Sequence, residues 1–145
     1  VNTHNTDRAK HGVAGLKWDN DAAKYAQNWA NNCDFKHSGG KYGENLFGVW
    51  ATGAFDYINQ TKADITDGWY AEIAKYDFNN PGFSEETGHF TQVVWKSSKK
   101  LGCAWNQNPC ISNNVPFYKF VCEYDPPGNV IGDNGSYFRD NVPRP

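Results

Sequence analysis

The chain has 145 residues, enough for one domain-sized core and too few for a second of comparable size. Its 14 basic side chains fall short of its 16 acidic ones; the formal charge of −2 leaves no cationic surplus for a phosphate backbone, so no nucleic-acid partner is expected. A mean hydropathy of −0.78 and the lack of any apolar run near 18 residues exclude a membrane span, and an aromatic share of 16% argues against a disordered chain and for a core built on rings.

In chain order, Val1 to Lys10 shows no apolar stripe and reads at most as the remnant of a first helix. His4 and His11, in this polar stretch, suggest surface or capping duty. From Trp18 the apolar positions Ala22, Tyr25, Ala26, Trp29, Ala30 and Cys33 follow one helical face, with Asp19, Asn20 and Asp21 at its capping end and Gly39-Gly40 beyond its stop. Leu46 to Ile58 crowds Phe47, Val49, Trp50, Phe55 and Tyr57 around Gly48 and Gly53 without a clean period, and reads as an aromatic loop, either closing over an apolar ligand or filling the core. Ile65, Trp69, Ile73 and Tyr76 form a second helical stripe, with Glu72 on or beside its buried face and Pro81-Gly82 as a stop. Gly88 to Trp95 fits helix and strand about equally. Leu101 to Trp105 and Phe117 to Tyr124 alternate as strands of an antiparallel hairpin, with Asn106 to Pro116 as a loop holding Cys110, and Asp125-Pro126-Pro127-Gly128 ends the second strand. Helices followed by a late hairpin point to an α+β layered fold in one domain, 1–145.

The four cysteines, Cys33, Cys103, Cys110 and Cys122, form an even set that suits two disulfides made in an oxidising compartment. Zinc ligation is the rival, but there is no CxxC and the Cys-x6-Cys spacing matches no common finger. The absence of Met reads as a chain trimmed or processed at its N-terminus. Two sequons, Asn59-Gln60-Thr61 and Asn134-Gly135-Ser136, are compatible with secretion.

Gly88-His89-Phe90-Thr91-Gln92-Val93-Val94-Trp95 resembles the signature of the CAP superfamily, which unites cysteine-rich secretory proteins, antigen 5 and plant pathogenesis-related proteins. Phe120 to Asn129 is similar to that family's second signature, and His4-Asn5, Leu16 to Asp19, Ala26 to Ala30, His37-Ser38 and Gly43 to Leu46 match in the same order. Gly82-Phe83-Ser84-Glu85 looks closest to fungal members. The resemblance implies a secreted αβα sandwich with a short antiparallel sheet between helical layers, and disulfides Cys33 to Cys103 and Cys110 to Cys122. It also implies a cleft that gathers His37, Glu44, Glu72 and His89.

Two imidazoles and two carboxylates suit a divalent ion such as zinc or magnesium, with no cofactor required; the alternative is a hydrogen-bonded structural cluster. Without a Gly-x-Ser-x-Gly elbow, and with all thiols bridged, no enzyme is expected, and a metal-dependent hydrolase is the minor alternative. The resemblance implies a sterol or fatty acid as ligand, with the aromatic segment Phe47, Val49, Trp50, Phe55 and Tyr57 as its loop. A lipid-free effector recognised by a host protein is the other alternative.

Overall fold

The computed structural model describes all 145 residues. The first helix, α1 (Asn2–Ala9), has no apolar stripe because the side chains it buries are His4, Asp7 and Arg8. The Arg8 guanidinium donates to the carbonyls of Ala14, Val93, Trp95 and Ser98 at 2.9–3.1 Å, so a polar helix is held by a buried cation. The surface role read for His4 and His11 is thereby corrected: His4 is fully buried against the Tyr124 hydroxyl. His11 Nδ1 donates to the Pro143 carbonyl at 2.7 Å while its Nε2 accepts from the Tyr70 hydroxyl at 2.8 Å.

After the short strand β1 (Lys17–Trp18), α2 (Asn20–Asn31) begins where Asp19 accepts from the Ala22 amide at 2.9 Å. Its apolar face turns Ala22, Ala26 and Ala30 onto the sheet. Small residues are needed there because Gly102 lies directly under the backbone of Ala22 and Ala23, with no room for a Cβ. The strands are β2 (Gly43–Trp50), β3 (Lys100–Trp105), β4 (Cys110–Ser112) and β5 (Val115–Asp125). They run in the order β1-β3-β5-β2, with β4 added to β5; β1 joins β3 in parallel and all other pairs are antiparallel.

Strand β5 is central and buried on both faces. Phe120, Cys122 and Tyr124 meet Ile65, Trp69, Phe90, Val93 and Trp95 in one core, while Val121 meets Ala26, Ala30 and Leu46 in the other. The first core is closed by α1 and by a long helical path that starts as α3 (Tyr57–Ala63), widens to a π segment (Asp64–Trp69) and tightens to a 3₁₀ segment (Tyr70–Lys75). It also holds α4 (Gly88–Val94), the element of the ambiguous octapeptide, and α5 (Ser136–Asn141). The result is the expected α+β, αβα sandwich. No helix is long and apolar enough to cross a membrane.

Three expectations are corrected. The disulfides are Cys33–Cys110 and Cys103–Cys122. Cys103 and Cys122 face each other across the β3·β5 register on the side away from α2, so Cys33, at the end of α2, cannot reach Cys103 through the sheet; it meets Cys110 instead, with Cα atoms 5.8 Å apart. The loop Asn106 to Pro116 contains a strand, because Asn113 and Asn114 take positive φ and turn β4 back onto β5. Leu46 to Trp50, the first part of the aromatic segment, lies in the edge strand β2, which pairs with β5 along its whole length.

Candidate functional site

Glu44 enters the site from the second position of β2, and His37 comes from the loop after α2. His37 Nδ1 donates to Glu44 Oε1 at 2.9 Å, the Ser38 amide to the same oxygen at 2.8 Å, and the Ser38 hydroxyl to Oε2 at 2.7 Å. The Tyr25 hydroxyl in turn donates to Ser38 Oγ at 2.9 Å, tying this loop to α2. Burial pushes the Glu44 carboxyl up, but the combined hydrogen bonds from His37 and Ser38 win and hold it well below the usual range. The same bond to Glu44 raises His37 against the opposing effect of burial.

Glu123, directly opposite Glu44 in the β2·β5 register, is fully buried, and no donor reaches either of its oxygens. Burial first, and then the neighbouring Glu44, push its pKa far up. It therefore keeps its proton beside the Glu44 carboxylate. Reading the sequence missed Glu123 because alternation placed it on the polar side of its strand; the signal available was that Lys119 and Glu123 flank Val121 in a run, Phe117 to Tyr124, that is otherwise apolar or aromatic.

The second pair lies across the cleft. His89 is the second residue of α4, a helix with no cap from its own preceding side chain. Glu72 supplies one: its Oε1 accepts from the amides of His89 and Phe90 at 2.9 and 3.0 Å, and its Oε2 accepts from His89 Nδ1 at 2.8 Å. The His89 ring also stacks near-parallel to Trp69, at 6.0 Å between centroids. Asn45 donates to the His89 carbonyl at 3.1 Å, and Asn129 donates to the Gly88 carbonyl at 2.9 Å while accepting from Thr91 at 2.6 Å.

His37, Glu44 and His89 line one cleft of about 320 Å³ together with Glu85, Asn129 and the single apolar wall Phe83. Glu72 stands behind His89 and is not part of that lining. Because both Nδ1 atoms donate to carboxylates, each imidazole keeps its Nε2 lone pair for a ligand, while Glu44 and Glu72 orient the rings. No three His, Cys, Asp or Glu side chains converge as a metal cage.

The aromatic set does not form one pocket. Phe47 packs into the helical core, Trp50 turns to the other face against Phe117 at 4.6 Å, and Phe55 stacks on Tyr118 at 3.9 Å. Val49 stands opposite Tyr118 on the edge strand, and Tyr57 packs edge-on to Phe55 and Trp105. Ile58, 71% exposed, joins Tyr57 and Val1 in a shallow groove between the start of α1 and α3.

Residues 1–124 match the model of the CAP family, described as the cysteine-rich secretory protein family. The chain is 46% identical to Repressed by EFG1 protein 1 of Candida albicans, over 96% of this chain and 50% of that protein. It is 45% identical to Protein PRY2 of Saccharomyces cerevisiae, over 98% and 39%, and 42% identical to Pathogenesis-related protein 1B of Nicotiana tabacum, over 92% and 77%. It thus spans half or less of the length of the fungal relatives it matches. Among solved structures, NaASP2 with Zn2+ superposes with a TM-score of 0.69 at 28% identity, over 92% of this chain and 80% of that one. MpPR-1i superposes at 0.62 and 21% identity, over 94% and 88%, a likeness of fold alone.

Proposed function

Because the chain belongs to the cysteine-rich secretory protein (CAP) family, we propose that it is an extracellular, non-catalytic binding module whose polar cleft takes a divalent cation weakly through the imidazoles of His37 and His89. One observation carries this reading: two histidines in one cleft, each with Nδ1 donated to a carboxylate and Nε2 left as the basic nitrogen. The donor set fits zinc through two nitrogens at most, with water completing the shell, so the affinity is low. The superposable NaASP2, solved with Zn2+, supports the choice of ion. When bound, the cation supplies a positive centre for an anionic ligand group; Glu44 and Glu72 hold the rings, and Asn45 and Asn129 fix the turn that carries His89.

The non-catalytic part rests on what each candidate nucleophile does. All four thiols are bridged, and the Ser38 hydroxyl donates to Glu44 rather than to an imidazole. Extracellular location is supported by the two disulfides and by the secreted nature of the relative named Secreted protein RBT4.

Zinc titration calorimetry tests the cation reading. Binding is expected at pH 7.5, lost in His37→Ala/His89→Ala, and weakened toward pH 6, where the raised His37 is protonated and cannot ligate. Heat unchanged in the double variant removes the reading.

A second reading, lipid binding, is favoured by the groove at Val1, Tyr57 and Ile58, where apolar surface is exposed beside packed rings. Palmitate and cholesterol retention is expected to fall at least several-fold in Ile58→Lys. Retention no greater than that of heat-treated protein removes this reading.

A further inference from the structure

Two asparagines stand in glycosylation sequons, and the fold treats them differently. Asn59 lies in the first turn of α3, where its side-chain amide donates to Asp56 Oδ2 at 2.7 Å and its main-chain amide to Asp56 Oδ1. The partner hydroxyl of that sequon, on Thr61, donates to the Tyr57 carbonyl and accepts from Trp105 Nε1 at 2.8 Å. Asn59 also lines the groove beside α1, so a bulky substituent there would fill a space walled by Asn2, Thr6 and Lys10.

Asn134 is exposed at the tip of a turn in which it and Gly135 both take positive φ, 53° and 71°, before α5 begins at Ser136. Arg139 occupies only its backbone carbonyl, at 3.1 Å, which leaves the side-chain amide to solvent. Gly135 is seated on the Pro81 carbonyl with no room for a Cβ, so the turn is anchored from below and presents Asn134 outward. Ile131, 70% exposed, and Tyr137, 49% exposed, flank the turn in sequence and leave apolar surface bare at this corner. The apolar faces of a sugar ring can cover such surface.

We propose that Asn134 carries an N-linked oligosaccharide and that Asn59 does not. The inference rests on the extracellular reading above, since the donor, a lipid-linked oligosaccharide diphosphate, is met in the secretory route. The Asn134 amide nitrogen bonds to C1 of the first sugar, the bond from C1 to the phosphate oxygen breaks, the lipid diphosphate leaves, and the amide loses one proton. The turn rests on the Pro81 carbonyl, two residues in sequence before the cleft wall Phe83.

The test is expression of the full chain behind a secretory signal in a eukaryotic host, with glycopeptide mapping of both the medium and the retained intracellular membrane pool. One core oligosaccharide at Asn134 is expected, absent in Asn134→Gln and in Ser136→Ala and retained in Asn59→Gln. Asn134 bare in both pools overturns the proposal, as does an oligosaccharide that survives Ser136→Ala. Failure of the extracellular reading is distinguishable: the chain then stays out of the medium while the intracellular map still reports on Asn134.

Discussion

Glu123 is the residue whose chemistry departs furthest from its ordinary behaviour. In the unfolded chain it ionises near 4.5, whereas in the fold burial and Glu44 keep it protonated well above that. Its contribution to stability therefore declines as pH rises above about 4.5, because the unfolded state releases a proton that the folded state retains. Glu123→Gln keeps the shape of the side chain and removes this titration. The variant is expected to match the wild type near pH 4 and to gain on it progressively toward pH 8, by at most about 1.4 kcal/mol per pH unit. Urea unfolding over that range checks it, and a stability difference independent of pH contradicts it. His37 has the same sign in a higher pH range: its raised pKa gives stability present in full below about pH 6.5 and lost as pH rises through the folded value.

At the scale of elements, two charged side chains from distant parts of the chain finish helix ends. Lys119, fully buried on β5, donates to the carbonyls of Trp29, Asn32 and Asp34 at 2.7–2.9 Å and lies over the Trp29 ring. It thus adds a charged donor to carbonyls at and just beyond the end of α2, of which that of Trp29 also accepts from the Asn32 amide, and complements the helix dipole. Lys119→Met conserves volume and is expected to cost about 2–4 kcal/mol, since a fully buried ammonium and its three hydrogen bonds to part-buried carbonyls are lost. Urea unfolding measures it. Glu72 plays the converse role at the start of α4. Glu72→Ala is expected to cost about 1–2 kcal/mol, and to raise hydrogen exchange at the His89 and Phe90 amides more than in the sheet. Protection unchanged at those amides would show that α4 is capped otherwise.

Across the whole molecule, the disulfide Cys33–Cys110 joins positions 77 residues apart and ties the end of α2 to the β4·β5 hairpin. Its replacement by two serines is expected to cost about 4 kcal/mol by the unfolded-chain argument, against about 3 for Cys103–Cys122, which closes a shorter loop. Guanidinium unfolding of the two double variants checks the order. Long amphipathic periodicity made α2 and the stripe Ile65, Trp69 and Tyr76 legible before any coordinates, and strand alternation did the same for β3 and β5, because those patterns come from one face meeting a core. The stripe placed Glu72 at a buried face, and the motif likeness brought His37, Glu44 and His89 into the same cleft. Beyond that reach lay α1, whose burial is polar, and β2, whose strand period is hidden because Phe47 and Val49 face one way while Leu46 and Trp50 face the other. The sequence by itself determined the layered fold class, the family and the even pairing of its thiols, all carried by local pattern and motif order. Only the tertiary structure decided which cysteines meet, that Glu44 and Glu72 each accept from an imidazole Nδ1, and that Glu123 is buried beside Glu44. The cysteine pairing and the burial of Glu123 depend on strand register and on which face of the sheet a side chain occupies, which a one-residue change of register would reverse, while the Glu72–His89 pair depends on how two distant helical segments pack together.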